Sequence, residues 1–263
     1  MNINKPSFLS QIPPVVLNLI IINTLFWLAS IILPDKLGID FTDMLGMHYW
    51  ASDKFQVYQL ISYMFMHDTS SIFHLFFNMF GLYMFGRILE QVWGAKKFLF
   101  YYMVTGVGAA VVQQLFWTID FWNVSEALNI AIAQNSGVAL VSQEAFLSHY
   151  FHFQNLEALT AVDIVGMKAA LFNLPVTIGA SGALFGILLA FGWLFPEIKL
   201  IMIFFPIPIK ARIFVLIYGL AELFLGVANF SGDSVAHFAH LGGMIFGILL
   251  ILYWRKKGTL YKQ

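Results

Sequence analysis

Apolar residues gather into six runs of roughly the length a membrane span requires, about 20 residues each, and nearly all the charges lie in the segments between them. The runs predict transmembrane helices over 13–33, 72–89, 97–117, 176–195, 213–229 and 237–254. The segment 34–71 alternates acids with Trp50, Phe55, Tyr58 and Phe65. Aromatic rings with polar edges favour the membrane interface, so part of this segment is expected there. The longest connection, 118–175, ends in a fairly apolar stretch that carries Asp163, Lys168 and Asn173. Central charges cost about 2.5–3.5 kcal/mol each on insertion scales. The stretch therefore reads as an external amphipathic helix or hairpin rather than a seventh span.

Composition agrees with this pattern. The 263 residues are 60% hydrophobic and 11% charged, against about 45–50% and about 25% in soluble domains. This is the profile of an integral membrane protein, expected as one all-α polytopic bundle over 1–263 with an extended third connection. Cysteine is absent, which removes disulfides, thiolate nucleophiles and cysteine metal sites together. The net charge is zero, so electrostatic information lies in the distribution of charges. With six spans, eleven of the 14 Lys and Arg fall on the side that holds both termini; Lys36, Lys54 and Lys168 fall on the other. That excess places both termini in the cytoplasm. A bacterial plasma membrane is expected, because no organelle-targeting extension precedes the first span.

In this topology the second, fourth and sixth spans begin at one depth, near the outer face. The second opens with His74 and Asn78, which share a helical face at i and i+4. The fourth opens with Ser181, and the sixth with His237 and His240. Serine and histidine make a minimal nucleophilic pair, provided imidazole can take the hydroxyl proton. The glycine pairs Gly182/Gly186 and Gly243/Gly247 let two membrane helices approach closely enough for that contact. His74, the Asn78 amide and the Ser181 N–H are candidate donors to a developing oxyanion.

Other polar groups have plainer readings. Glu222, midway along the fifth span, is expected as a protonated or hydrogen-bonded structural carboxyl, with no acidic third partner identifiable for the Ser–His pair. His237-x-x-His240 and His149-x-x-His152 lack the H-E-x-x-H pattern and an obvious third ligand, so neither a metal nor any other cofactor is expected. Asn123-Val124-Ser125 matches a glycosylation sequon, which matters only in a host that glycosylates.

Taken together, the motifs resemble those of the rhomboids, the family of intramembrane serine proteases. The matching pieces are His74-Leu75-Phe76-Phe77-Asn78, Gly179-x-Ser181-Gly182, Ala239-His240-x-x-Gly243-x-x-x-Gly247 and Gly86-Arg87-x-x-Glu90…Gly94. They run in the family's order from about Phe55 to Tyr253, interrupted by 118–175. The resemblance implies that Ser181 is the nucleophile, His240 the general base, and His74 and Asn78 the oxyanion donors. Three departures stand out. Tyr58-Gln59 occupies the place of the usual Trp-Arg, Phe185 replaces a frequent Tyr and is expected to stack on His240, and 118–175 has no assignable counterpart.

The function implied is an intramembrane serine endopeptidase that cleaves single-span membrane proteins near the outer face. Its partners would be those substrates and the lipid bilayer, with no nucleic acid. The alternative is a catalytically silent relative that binds membrane clients for folding or degradation. Inactive relatives typically lack the serine or the histidine, and both are present here. A transporter using Glu222 would be expected to show repeats or paired broken helices, and the chain has neither.

Overall fold

A computed structural model describes residues 11–153, 155–201, 207–228 and 235–261. Six apolar helices stand where the six runs lie. They are α1 (Pro14–Ile32), α2 (Ile72–Trp93), α3 (Ala95–Gln134), α5 (Ser181–Leu194), α6 (Ala211–Ala228) and α7 (His237–Lys256), with α4 (Ala161–Asn173) between the third and fourth. All but α4 and α5 are long and apolar enough to cross a bilayer. This is a helical polytopic membrane protein.

The chain divides into two compact units. One takes in Met1–Gly46, Tyr58–Gln113 and Thr177–Gln263; the other takes in Met47–Val57 and Gln114–Val176.

In the first unit α5 is the central element. Ten of its 14 residues are buried, and they lie on every side of it. A helix apolar all round belongs inside a protein rather than at its edge. Its 14 residues span about 21 Å, short of the roughly 30 Å hydrocarbon core. The helix starts at Ser181 rather than at Val176, five residues later than the apolar run suggests. Gly179, at φ +123°, holds the preceding chain in a conformation reserved for glycine, and its N–H donates to the Tyr63 carbonyl at 2.9 Å. At its other end α5 runs into a charged turn. Strands β1 (Lys199–Ile201) and β2 (Pro208–Lys210) pair antiparallel beyond it, and exposed Glu197 bridges Lys210 at 2.7 Å and Arg212 at 3.0 Å.

Close helix contact depends on the glycines singled out in the sequence. A methyl group on Gly243 of α7 would strike the Gly182 carbonyl of α5, and one on Gly186 would lie 2.6 Å from the Thr105 side chain and 3.0 Å from the Gly243 carbonyl. Gly247 faces the Cα of Gly186. The Tyr101 hydroxyl of α3 donates to the Gly186 carbonyl at 2.8 Å. It thereby adds a polar tie at a contact made by small residues.

Helix α2 widens into a π-helical turn over Leu82–Gly86, then continues to Gly94, whose φ of +78° ends it. Its buried Glu90 accepts from the N–H of Val15 at 3.0 Å and of Val16 at 2.8 Å. Helix α1 begins at prolines and has no side-chain cap of its own, so this distant carboxylate satisfies two of its free donors. The Tyr58-Gln59 pair has a comparable local use. The Tyr58 hydroxyl and the buried Gln59 amide both donate to the Met44 carbonyl, at 3.1 and 3.3 Å.

The second unit has its own core of Tyr49, Phe121, Val124, Leu128, Leu140, Leu147, Ile164 and Phe172, among others. Helix α4 contributes Ile164, Met167, Leu171 and Phe172, one stripe at helical spacing. A capping box between Thr160 and Asp163 starts it. The amphipathic helix expected in this stretch is therefore present, with Asp163 used as a cap.

Candidate active site

The starts of α5 and α7 and the first turn of α2 converge in the first unit. His240 Nε2 lies 2.8 Å from Ser181 Oγ, the distance of a hydroxyl donating to imidazole. Phe185, one turn beyond the serine, stacks on the His240 ring with centroids 4.2 Å apart and planes 9° apart. The expected stacking is present without a tyrosine hydroxyl, and it fixes the ring plane.

His74 faces the same space. The backbone N–H of Asp68 donates to His74 Nδ1 at 3.2 Å, which makes Nδ1 an acceptor and leaves the ring proton on Nε2. That nitrogen and the serine hydroxyl both border Gly179. A Cβ built on Gly179 would lie 3.0 Å from His74 Nε2 and 3.6 Å from Ser181 Oγ. The loop behind it is held firmly: Trp27 Nε1 donates to the Asp68 carbonyl at 3.0 Å, and Asp68 accepts from the Ser70 N–H and hydroxyl, each at 2.8 Å. Those Ser70 bonds hold the Asp68 carboxyl below its usual range. His67 packs edge-on against His74 with centroids 5.0 Å apart. Burial, reinforced by the His74 ring, pushes its pKa down to about 3.

Asn78 is buried one turn further along α2, and its Nδ2 donates to the His74 carbonyl at 2.8 Å. One amide hydrogen is thus committed to its own helix and one remains for a ligand. The Ser181 backbone N–H, at the first position of α5, is among the donors that a helix start leaves without intrahelical partners.

One arrangement departs from the sequence reading. Glu222 of α6 is buried with its Oε2 at 2.9 Å from His240 Nδ1 and 2.6 Å from His237 Nδ1. An acidic third partner is therefore in place behind the histidine of the Ser–His pair. Its partners sit 15 and 18 residues away on another helix, a pairing that periodicity within one span does not reveal. These three side chains also supply the third ligand-type group that His237-x-x-His240 lacked, with ligand atoms within 4.8 Å of one another.

A half-buried hydroxyl–imidazole pair at the start of a short helix, among spans that contact through glycine, defines a helical polytopic membrane protein with a serine–histidine pair inside its bundle. The chain belongs to the rhomboid family: the Rhomboid domain model matches residues 54–120 and 130–257. Only 121–129 separates the two matched parts, so most of the connection 118–175 lies within the match. Rhomboid protein 1, mitochondrial, of Saccharomyces cerevisiae is 26% identical over 224 residues, in an alignment that covers 81% of this chain and 61% of the relative. The chain thus spans about three fifths of the length of that curated relative.

Proposed function

We propose that the protein is an intramembrane serine endopeptidase acting on single-span membrane proteins. The observation that carries this reading is the 2.8 Å contact between Ser181 Oγ and His240 Nε2. Ser181 Oγ attacks the substrate carbonyl as its proton passes to His240 Nε2, and the imidazolium then returns a proton to the leaving amine. The developing oxyanion is met by His74 Nε2–H, the second Asn78 amide hydrogen and the Ser181 N–H. No cofactor enters this scheme.

Depth follows from the length of α5. If the charged turn holding Glu197, Lys210 and Arg212 marks one interface, a helix of about 21 Å ends roughly 9 Å short of the opposite face of a 30 Å core. Ser181 then lies just inside the bilayer on the side away from the Lys- and Arg-rich termini. With both termini cytoplasmic, cleavage falls near the outer face of the membrane.

The test is cleavage of a single-span reporter by the full chain in lipid vesicles. Ser181→Ala and His240→Ala should each abolish turnover while the protein stays folded, and the double variant should be no worse than either single one. Robust turnover by either single variant would overturn the assignment.

A further inference from the structure

The geometry points to Glu222 as a positioning residue that completes a serine–histidine–carboxylate relay in this chain, with His237 holding the carboxylate from its far side. This inference rests on the endopeptidase reading above and adds a group to it.

One carboxylate oxygen, Glu222 Oε2, meets two ring nitrogens at once, His240 Nδ1 at 2.9 Å and His237 Nδ1 at 2.6 Å. A protonated oxygen donates its single proton to one ring, whereas an ionised one accepts from both. Accepting from His240 puts that ring's proton on Nδ1 and leaves the Nε2 lone pair facing Ser181 Oγ at 2.8 Å. The tautomer needed in a general base is thus set from behind. As Oγ bonds to the substrate carbonyl carbon, the O–H bond breaks and its proton goes to Nε2. The imidazolium so formed is offset by the carboxylate, which itself takes up no proton. Glu222, His237 and His240 are each at most 7% exposed, so little water screens this interaction.

The same cluster has the residue types of a metal site, but its spacing is that of hydrogen bonds. Tetrahedral zinc, with bonds of about 2.0–2.2 Å, holds its ligand atoms about 3.3 Å apart. Here they approach to 2.6 and 2.9 Å.

Among the described residues, the titratable groups facing His240 are Glu222 of α6, His237 of α7 itself and His74 of α2, with Tyr218 of α6 near Glu222. The experiment measures kcat, KM and the acid limb of the kcat profile for the full chain in lipid vesicles. Wild type, Glu222→Gln, Glu222→Asp and His237→Gln are compared. Glu222→Gln should lower kcat by about 10²–10⁴-fold, the upper figure being the cost of the analogous change in a soluble serine protease, with KM little altered. Without the carboxylate the imidazolium is less stable, so the acid limb should move to lower pH. Glu222→Asp should restore part of kcat and most of the limb's position. His237→Gln leaves Glu222 more fully to His240, so the limb should move to higher pH; this variant carries the test if Glu222→Gln does not fold. A merely structural role would scale the rate and leave the limb where it is, and that result would overturn the inference. Wild type that cleaves while every variant keeps the wild-type limb refutes the relay alone. Wild type that neither cleaves nor reacts at Ser181 refutes the endopeptidase reading with it.

Discussion

At the residue scale, the candidate site combines groups visible in the sequence with a hydrogen-bonded carboxyl, Glu222, whose partners were not. Ser181 and His240 were legible because each is flanked by glycines at helical spacing, a pattern that implies two helices in contact. Glu222 was legible as an anomaly but not as a partner, because side chains on different helices meet through packing rather than through spacing. His67 provides an independent check on the loop that presents His74. Its folded pKa of about 3 lies below the ordinary value of 6.5, so the folded state binds fewer protons than the unfolded chain between those values. Stability is then complete above about pH 6.5 and is lost as pH falls towards 3. Thermal unfolding in detergent should show this decline, and His67→Gln should flatten it. An equal decline in the variant would mean that other groups carry the acid sensitivity.

At the element scale, helix ends were less legible than helix cores. The third run was expected to stop at Trp117, but α3 continues to Gln134. Gln113 and Gln114 are buried in protein contacts instead of facing lipid: Gln113 accepts from the Ala239 N–H at 3.1 Å, and Gln114 binds the backbone of His48 and Trp50. The turns beyond Trp117 are held by Phe121, Val124, Leu128 and Ala131, which are buried in the core of the second unit. The fourth run was expected from Val176, and its apolar composition concealed the extended entry imposed by Gly179. Two substitutions separate packing glycines from tolerated ones. Gly243→Ala would drive a methyl group into the Gly182 carbonyl and should lower both stability and turnover, whereas Gly166, with nothing within 4 Å, should accept alanine. That exchange within a helix is worth about 0.5–1 kcal/mol in alanine's favour. Unfolding curves of the two variants decide this, and equal effects would refute the packing account. Glu90→Ala, by stripping the buried Val16 N–H and the half-buried Val15 N–H of their acceptor, should destabilise the fold by about 1–3 kcal/mol with no specific effect on KM.

At the scale of the whole molecule, the shortness of α5 connects fold to substrate. A peptide bond within a membrane helix has its carbonyl engaged, and exposing unsatisfied backbone in hydrocarbon costs several kcal/mol per group. On the proposed mechanism a substrate span has to unwind beside Ser181, and Gly or Pro near its outer end lowers that cost. Replacing those residues with Leu in a single-span reporter should protect it, while changes in its distant cytoplasmic tail should have little effect. Equal cleavage of a stiff poly-Leu span would contradict the mechanism even with Ser181 and His240 confirmed.

The central claim is that Ser181 is a nucleophile activated by His240. Its most direct test is covalent labelling of the membrane-embedded protein with a serine-reactive fluorophosphonate, with the adduct located by peptide mass spectrometry. The account predicts one adduct, on Ser181, that is absent in Ser181→Ala and strongly reduced in His240→Ala. A folded wild-type protein that remains unlabelled would contradict it and favour a silent relative that binds its clients without cutting them.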